Sequence, residues 1–452
     1  AFLRETGHAM LVDPAVGDLL ETADARGLDD WRARNLELMR RRWRRATAIP
    51  ADLVTAISRA CSRAEVAWRA ARPANDYAAV RPLLQTVLDL TREEAGVLAA
   101  ALALDPYDAL MDAYEPGLRA ADCERIFGAL EGFLPDLLGA VIDRQAARPA
   151  PLAPAGPFPV ATQEELGRRL MATVGFDFER GRLDVSAHPF CGGTPDDIRI
   201  TTRYDEGDFA GAVMAVLHET GHAMYEGGLP ADWRRQPVGE SRGMAVHESQ
   251  SLIVEMQACR SRAFLGWMAP LARAAFGGEG PAWTADNLWR LTTRVGRGLI
   301  RVDADEVSYP LHVILRFRLE RAMLSGDLVL ADLPGAWNDG MRRLLGVSPP
   351  DDRRGCLQDI HWYDGAFGYF PTYSLGAMIA AQLFEAARID RPDLPDALGR
   401  GDFAPLMGWL REHVHGLGAS RSWEEIVAGA TGRPLDVGVF RRHLEGRYLG
   451  EG

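Results

Sequence analysis

Along most of the first third of the chain, apolar residues recur at three- and four-residue spacing, a period that fits a helix and excludes a strand. LLETADARGL, WRARNLELMRRRWRRA and CERIFGALEGFLPDLLGAVIDRQ carry the pattern within residues 11–146, separated by Pro and Gly breaks. ARPAPLAPAGPFP, residues 147–159, is a Pro-rich connector. It suggests a helical N-terminal region over 1–146, a linker over 147–160 and a second helical region over 161–452, together making one continuous functional unit. The expected fold is therefore mainly α.

One short segment departs from this period. DIRITTRY, residues 197–204, alternates apolar and polar and predicts a strand in a small sheet, expected to be antiparallel. Helical spacing resumes from Asp208 to Glu226 through Ala212, Leu217 and Met224. The acidic residues Asp205, Glu206 and Asp208 suit the positive end of that helix. Gly227, Gly228 and Pro230 predict its end.

The helix carries HETGHAM, residues 218–224. His218 and His222 are four apart, hence one turn apart and separated by about 40° around the axis, so both imidazoles can reach one ion. Glu219 lies close enough to touch a water on that ion without ligating it. This is the H-E-x-x-H arrangement of zinc peptidases. Zinc needs a third protein ligand, and VHESQSLIVE, residues 246–255, offers Glu248, with His247 beside it. Glu255, seven further on and on the same helical face, is either the rival ligand or a group that orients one.

Other metal readings fail or weaken. RETGHAM, residues 4–10, nearly repeats the motif, but Arg4 cannot ligate and leaves His8 alone. E-x-x-H by itself also marks di-iron carboxylate bundles, which need two such motifs and two further glutamates. It occurs at Glu5/His8, Glu219/His222 and Glu412/His415, the first terminal and the last in the polar segment REHVHG. A calcium loop starting at Asp303 would place Val307, Ser308 and Ile314 where an oxygen ligand, a glycine and a glutamate are required.

Charge narrows the partners. At a net −12 the chain is a poor match for nucleic acid or an anionic membrane, and Arg40–Arg45 read as a solvated helix face. Five scattered cysteines without a C-x-x-C pair indicate reduced thiols and a cytoplasmic setting. No apolar run is long enough for a membrane span and no signal peptide is visible. The chain opens with Ala1, not an initiator methionine, and need not be a whole gene product.

Six motifs in order resemble the M32 family of metallocarboxypeptidases: HPF at 188–190, DIRIT at 197–201, HETGH at 218–222, HESQ at 247–250, IRVDAD at 300–305 and GCLQDIHW at 355–362. The match is strong over about 165–375. The resemblance implies a large helical, neurolysin-like fold around a deep substrate cleft, with the small sheet near the active site. It implies a homodimer and one divalent metal per chain, zinc or cobalt. It also implies Glu248 as the third ligand and release of C-terminal residues from peptides with broad specificity. Family members usually begin some tens of residues earlier, so the N-terminus here is expected to be incomplete.

A carboxypeptidase must hold a free α-carboxylate, which a guanidinium fork does well. Arg301 is the preferred candidate and Arg199 the second. The structural alternative for each is a buried ion pair, with Asp305 or Asp197, and Asp305 is also the expected support for Arg301. His361, Tyr369 and Tyr373, the last favoured, are candidates for the donor to the oxyanion. Gln358 and Asp359 could support a ligand histidine. His188 either binds substrate backbone or caps a turn, and His312 reads as a satisfied core histidine. Glu219 is the expected general base. The competing functions are a zinc oligopeptidase cutting internally, which an amidated substrate would reveal, and a di-iron helical protein.

Overall fold

The computed structural model describes residues 2–186 and 189–450. The chain is mainly helical, with a three-stranded sheet. It forms two compact units, each made of two chain segments: Ala1–Pro135 with Gly296–Ser374, and Asp136–Val295 with Leu375–Gly452.

The first unit is helical. Asp29 and Asp76 cap the helices Asp30–Ala48 and Tyr77–Leu102 by accepting from the Arg32 and Ala79 N–H groups. The arginine run is not simply a solvated face. Arg41 pairs with Asp112 at 2.6 Å, and Arg45 approaches the same buried carboxylate at 3.7 Å while donating to the Ala109 carbonyl. Charge pattern alone could not show that a carboxylate so distant in sequence waits for them.

Helix Tyr309–Ser325 is buried along most of its length, with Leu311, Ile314, Leu315, Phe317 and Met323 in the core beside the buried polar residues His312, Arg316 and Glu320. Glu320, in the same helix, accepts from the Tyr107 hydroxyl, the Trp362 indole and the Gly368 N–H, which fastens the segment around QDIHW onto it. Burial pushes the Glu320 carboxyl up to about 7. His312 is fully buried in the core, as expected.

The second unit holds the sheet: β1 (Gly181–Val185), β2 (Phe190–Thr194) and β3 (Asp197–Thr202), in the order β1-β3-β2. The sheet is mixed, not antiparallel: β1 pairs parallel and β2 antiparallel with the central β3. Alternation in DIRITT fixes which face is buried, through Ile198 and Ile200, but not the direction of the neighbours. The Pro-rich stretch 147–159 lies inside this unit, not at its edge. Phe158 donates its N–H to the Glu206 carbonyl, and its ring packs against Phe209, Phe276 and Trp283.

Helix Phe209–Gly228 starts at Asp208, whose carboxylate accepts from the Gly211 N–H, and runs through both terminal glycines before Pro230 stops it. Its partner is helix Met244–Leu252, and Gly221 sets how near the two can come. A Cβ there would lie 2.4 Å from the Gln250 carbonyl oxygen. Gly376, on helix Pro371–Asp390, does the same for Glu248, whose Cβ and Cγ would be 2.8 Å from an added methyl. Among the described residues no helix is long and apolar enough to cross a membrane.

Candidate metal centre

The two close helix approaches bring His218, His222 and Glu248 together, and their ligand atoms all lie within 4.8 Å of one another. Glu248 Oε2 is 3.5 Å from His222 Nε2 and 3.9 Å from His218 Nε2. Among the described residues this is the one such group of three, which leaves a di-iron site without its second half. The other E-x-x-H pairs are engaged elsewhere. Glu5 accepts from the Thr55 hydroxyl, and His415 is buried against Gln250 while Glu412 is exposed, so the two cannot serve one ion in a core.

The second nitrogen of each ligand histidine is already occupied. His218 Nδ1 meets Glu255 Oε2 at 2.9 Å, and Arg260 holds the other oxygen of Glu255 at 2.5 Å. Glu255 therefore orients a ligand. The helix passes into a π-helical turn over Ile253–Cys259, the kind of local rewinding often found at functional sites.

On the other side His247 Nε2 lies 2.9 Å from Glu226 Oε1. A carboxylate only accepts, so His247 carries its proton there, and its Nδ1 accepts from His222 Nδ1–H at 2.7 Å. His222 Nε2 is thereby left bare and aimed at the site. Two imidazole nitrogens and a carboxylate oxygen, each backed by a fixed partner, fit a divalent ion of the zinc class.

The electrostatics match. Burial depresses His218, but the Glu255 hydrogen bond and the Glu248 charge outweigh it and raise its pKa to about 10. Burial lowers His222 to about 4 against the Glu248 hydrogen bond. Glu219, buried and near two other carboxylates, is raised to about 7, partly offset by His218. That value suits a proton acceptor and donor working near neutrality.

A second group of the expected residues gathers in the first unit. Asp359 takes Arg301 Nε and Nη2 on one oxygen, both at 3.0 Å, and Arg316 on the other. Arg301 thus sits in a buried ion pair, but with Asp359 and not Asp305. Asp305 instead accepts from the N–H groups of Gly296, Val307 and Ser308. Gln358 and Asp359 serve the arginines, not a ligand histidine: Gln358 accepts from the Arg301 N–H and from Arg316.

Every guanidinium nitrogen of Arg316 has an acceptor, its Nη1 going to the His312 carbonyl, whereas among the described residues no acceptor is found for Arg301 Nη1. The Arg301 guanidinium lies 4.6 Å from the Tyr373 ring centroid. The Tyr373 hydroxyl is 3.0 Å from His361 Nε2, and Tyr369 packs on the Tyr373 ring. Burial, with Arg301 beside it, pushes His361 down to about 3, so it is neutral.

Arg199 is not in a buried pair. It forks onto Asp197 on the exposed face of β3. His188 lies outside the described residues. Sequence spacing passed over Glu226, His247 and Arg260. The usable signal was Glu226, one turn beyond His222 on the same helical face.

Comparison with known proteins points to one family. The family model for carboxypeptidase Taq (M32) metallopeptidases matches residues 1–448. Thermostable carboxypeptidase 1 of Thermus thermophilus is 39% identical, over 98% of this chain and 88% of the relative. Its Pyrococcus furiosus namesake is 34% identical, over 98% and 89%. Among solved structures, Trypanosoma cruzi metallocarboxypeptidase 1 superposes with a TM-score of 0.94 at 42% identity, over 98% of this chain and 89% of that one. An M32 carboxypeptidase from Deinococcus radiodurans gives 0.91 at 38%, over 98% and 88%.

Proposed function

Because this chain belongs to the M32 family of carboxypeptidases, and so is a metal-dependent hydrolase acting at peptide C-termini, we propose that its metal is zinc, one ion per chain, held by His218, His222 and Glu248. The observation that carries this is the pair of Nε2 atoms converging on one carboxylate, each ring fixed by a partner on its Nδ1. Cobalt suits the same donor set. Bound there, the ion supplies Lewis acidity to the scissile carbonyl and to the attacking water.

The chain's own residues supply the rest of the chemistry. Glu219 accepts the water's proton and returns it to the leaving amine. Arg301 offers Nη1 to the substrate carboxylate while Asp359 holds the opposite edge of the guanidinium. Tyr373 is the favoured donor to the oxyanion, with His361 behind its hydroxyl and Tyr369 against its ring. With its single proton on Nε2, His361 donates to the Tyr373 oxygen, which leaves the tyrosine O–H free for the oxyanion. Arg199 stands behind Arg301 as the second candidate for the carboxylate, and His188 is the candidate for binding substrate backbone. A reducing compartment suits the five thiols, none of them in a disulfide, and a cytoplasmic homodimer completes the reading.

Mass spectrometry of a short peptide over time, with free and with amidated C-terminus, tests this directly. The expected result is stepwise loss of single residues from the free peptide alone, stopped by a chelator and restored best by zinc. Internal cuts in both peptides would remove Arg301 from its role and leave the zinc site standing.

A further inference from the structure

A cavity of about 440 Å³ in the second unit contains none of the metal ligands and is lined by five arginines: Arg144, Arg148, Arg290, Arg294 and Arg447. Among the described residues no carboxylate lines it. Three of the guanidiniums are held by backbone carbonyls, Arg144 by Gly450 at 2.8 Å, Arg447 by Met256 at 2.6 Å and Arg290 by Pro149. A carbonyl orients a guanidinium without cancelling its charge. Among the described residues Arg144, Arg148, Arg290 and Arg294 form no ion pair.

Arg26, Arg182, Arg199 and Arg391, by contrast, each pair with an aspartate two positions away. Five guanidiniums around one hollow, four of them outside any ion pair among the described residues, concentrate anions there. The volume lies in the range of small-ligand sites, and guanidinium edges match phosphate oxygens two at a time. A single monovalent anion would answer one charge of those four.

We propose that this cavity is a second binding site, separate from peptide hydrolysis, for a small anion carrying several phosphates. Arg148 and Arg294 are exposed, so reversing their charge tests the site without opening the core.

Titration calorimetry of the zinc-loaded enzyme with inorganic pyrophosphate, at fixed ionic strength, is the measurement. It is paired with the double variant Arg148→Glu/Arg294→Glu, with peptide hydrolysis followed in both proteins. Heat from complexation of zinc is common to the two and cancels in the comparison. The expected result is one saturable site per chain that weakens at least tenfold in the variant, with zinc content and peptidase rate unchanged. Equal affinity in both proteins, or no saturable binding to the wild type, overturns the proposal. Neither result touches the carboxypeptidase reading, which stands or falls on the peptidase rate.

Discussion

Nδ1 of His247 lies 2.7 Å from Nδ1 of His222. Two ring nitrogens meet at that distance only when one is protonated and the other is not. Glu226, an acceptor 2.9 Å from His247 Nε2, decides which. The carboxylate thus sets the tautomer of a residue it never touches, through an intervening imidazole.

Removing that intermediary tests the chain. His247→Ala frees His222 to move its proton to Nε2, where it competes with the metal. Zinc affinity is expected to fall roughly 10–100-fold, as when other partners of ligand histidines are lost. Competition with a chromophoric chelator reads this out, and an unchanged dissociation constant would show that the relay does not matter.

Glu219 is next to the ligands but is not one of them, so its loss separates chemistry from metal binding. Glu219→Gln is expected to keep one zinc per chain and lower kcat by about 10²–10⁴-fold. Turnover close to wild type with full metal occupancy would remove Glu219 as the base.

The pKa pattern makes a claim about protons. His218 is raised to about 10 in the folded protein, from an ordinary 6.5. A raised cation stabilises the metal-free fold fully below 6.5, and that contribution is lost as pH climbs towards about 10. The metal needs the same nitrogen bare, so zinc binding must expel this proton. His222, lowered to about 4, has none to give. Above about pH 8, where Glu219 is already ionised, one proton is expected to leave per zinc, and affinity is expected to rise about tenfold per pH unit until His218 titrates. Calorimetry in buffers of different ionisation heat counts the protons, and zero or two would contradict the assignment.

The convergence of His218 and His222 was legible because the helical period and the four-residue spacing are both local properties of the chain. Glu248 against Glu255 was not settled by spacing, since seven residues return to the same face. Only the packing at Gly221 and Gly376, together with the π-helical turn, separates a ligand from its neighbour's partner. Arg301 shows the same limit. Its burial in an ion pair was foreseeable, but its partner Asp359 is far along the chain and no sequence rule reaches it. The direction of β1 escaped for a related reason, because alternation describes one strand and not a pair.

Asp359 compensates two buried guanidiniums, and both arginines in turn hold its carboxyl well below the usual range despite burial. Asp359→Ala leaves both charges unanswered. A loss of about 3–5 kcal/mol in urea unfolding is expected, the cost of stripping one partner from a buried pair. Arg301→Ala should act differently, raising KM for a peptide with a free C-terminus far more than it lowers kcat. A stable Asp359→Ala protein would mean that water already reaches this group.

Gly221 and Gly266 make a matched pair of substitutions, both Gly→Ala within helices. At Gly221 the new Cβ would stand 2.4 Å from the Gln250 carbonyl oxygen and 2.6 Å from Ser251 Cα, so one helix must shift. Overpacking of this kind costs about 1–3 kcal/mol. Because the displaced helix carries Glu248, zinc affinity should fall together with stability. At exposed Gly266 nothing lies within 4 Å, and the same methyl is expected to stabilise helix Arg262–Ala275. There the gain should be about 0.5–1 kcal/mol, with zinc binding unchanged. Thermal unfolding and chelator competition on the two variants decide it: a Gly221→Ala protein that keeps wild-type zinc affinity would show that the close approach does not set the spacing of the ligands.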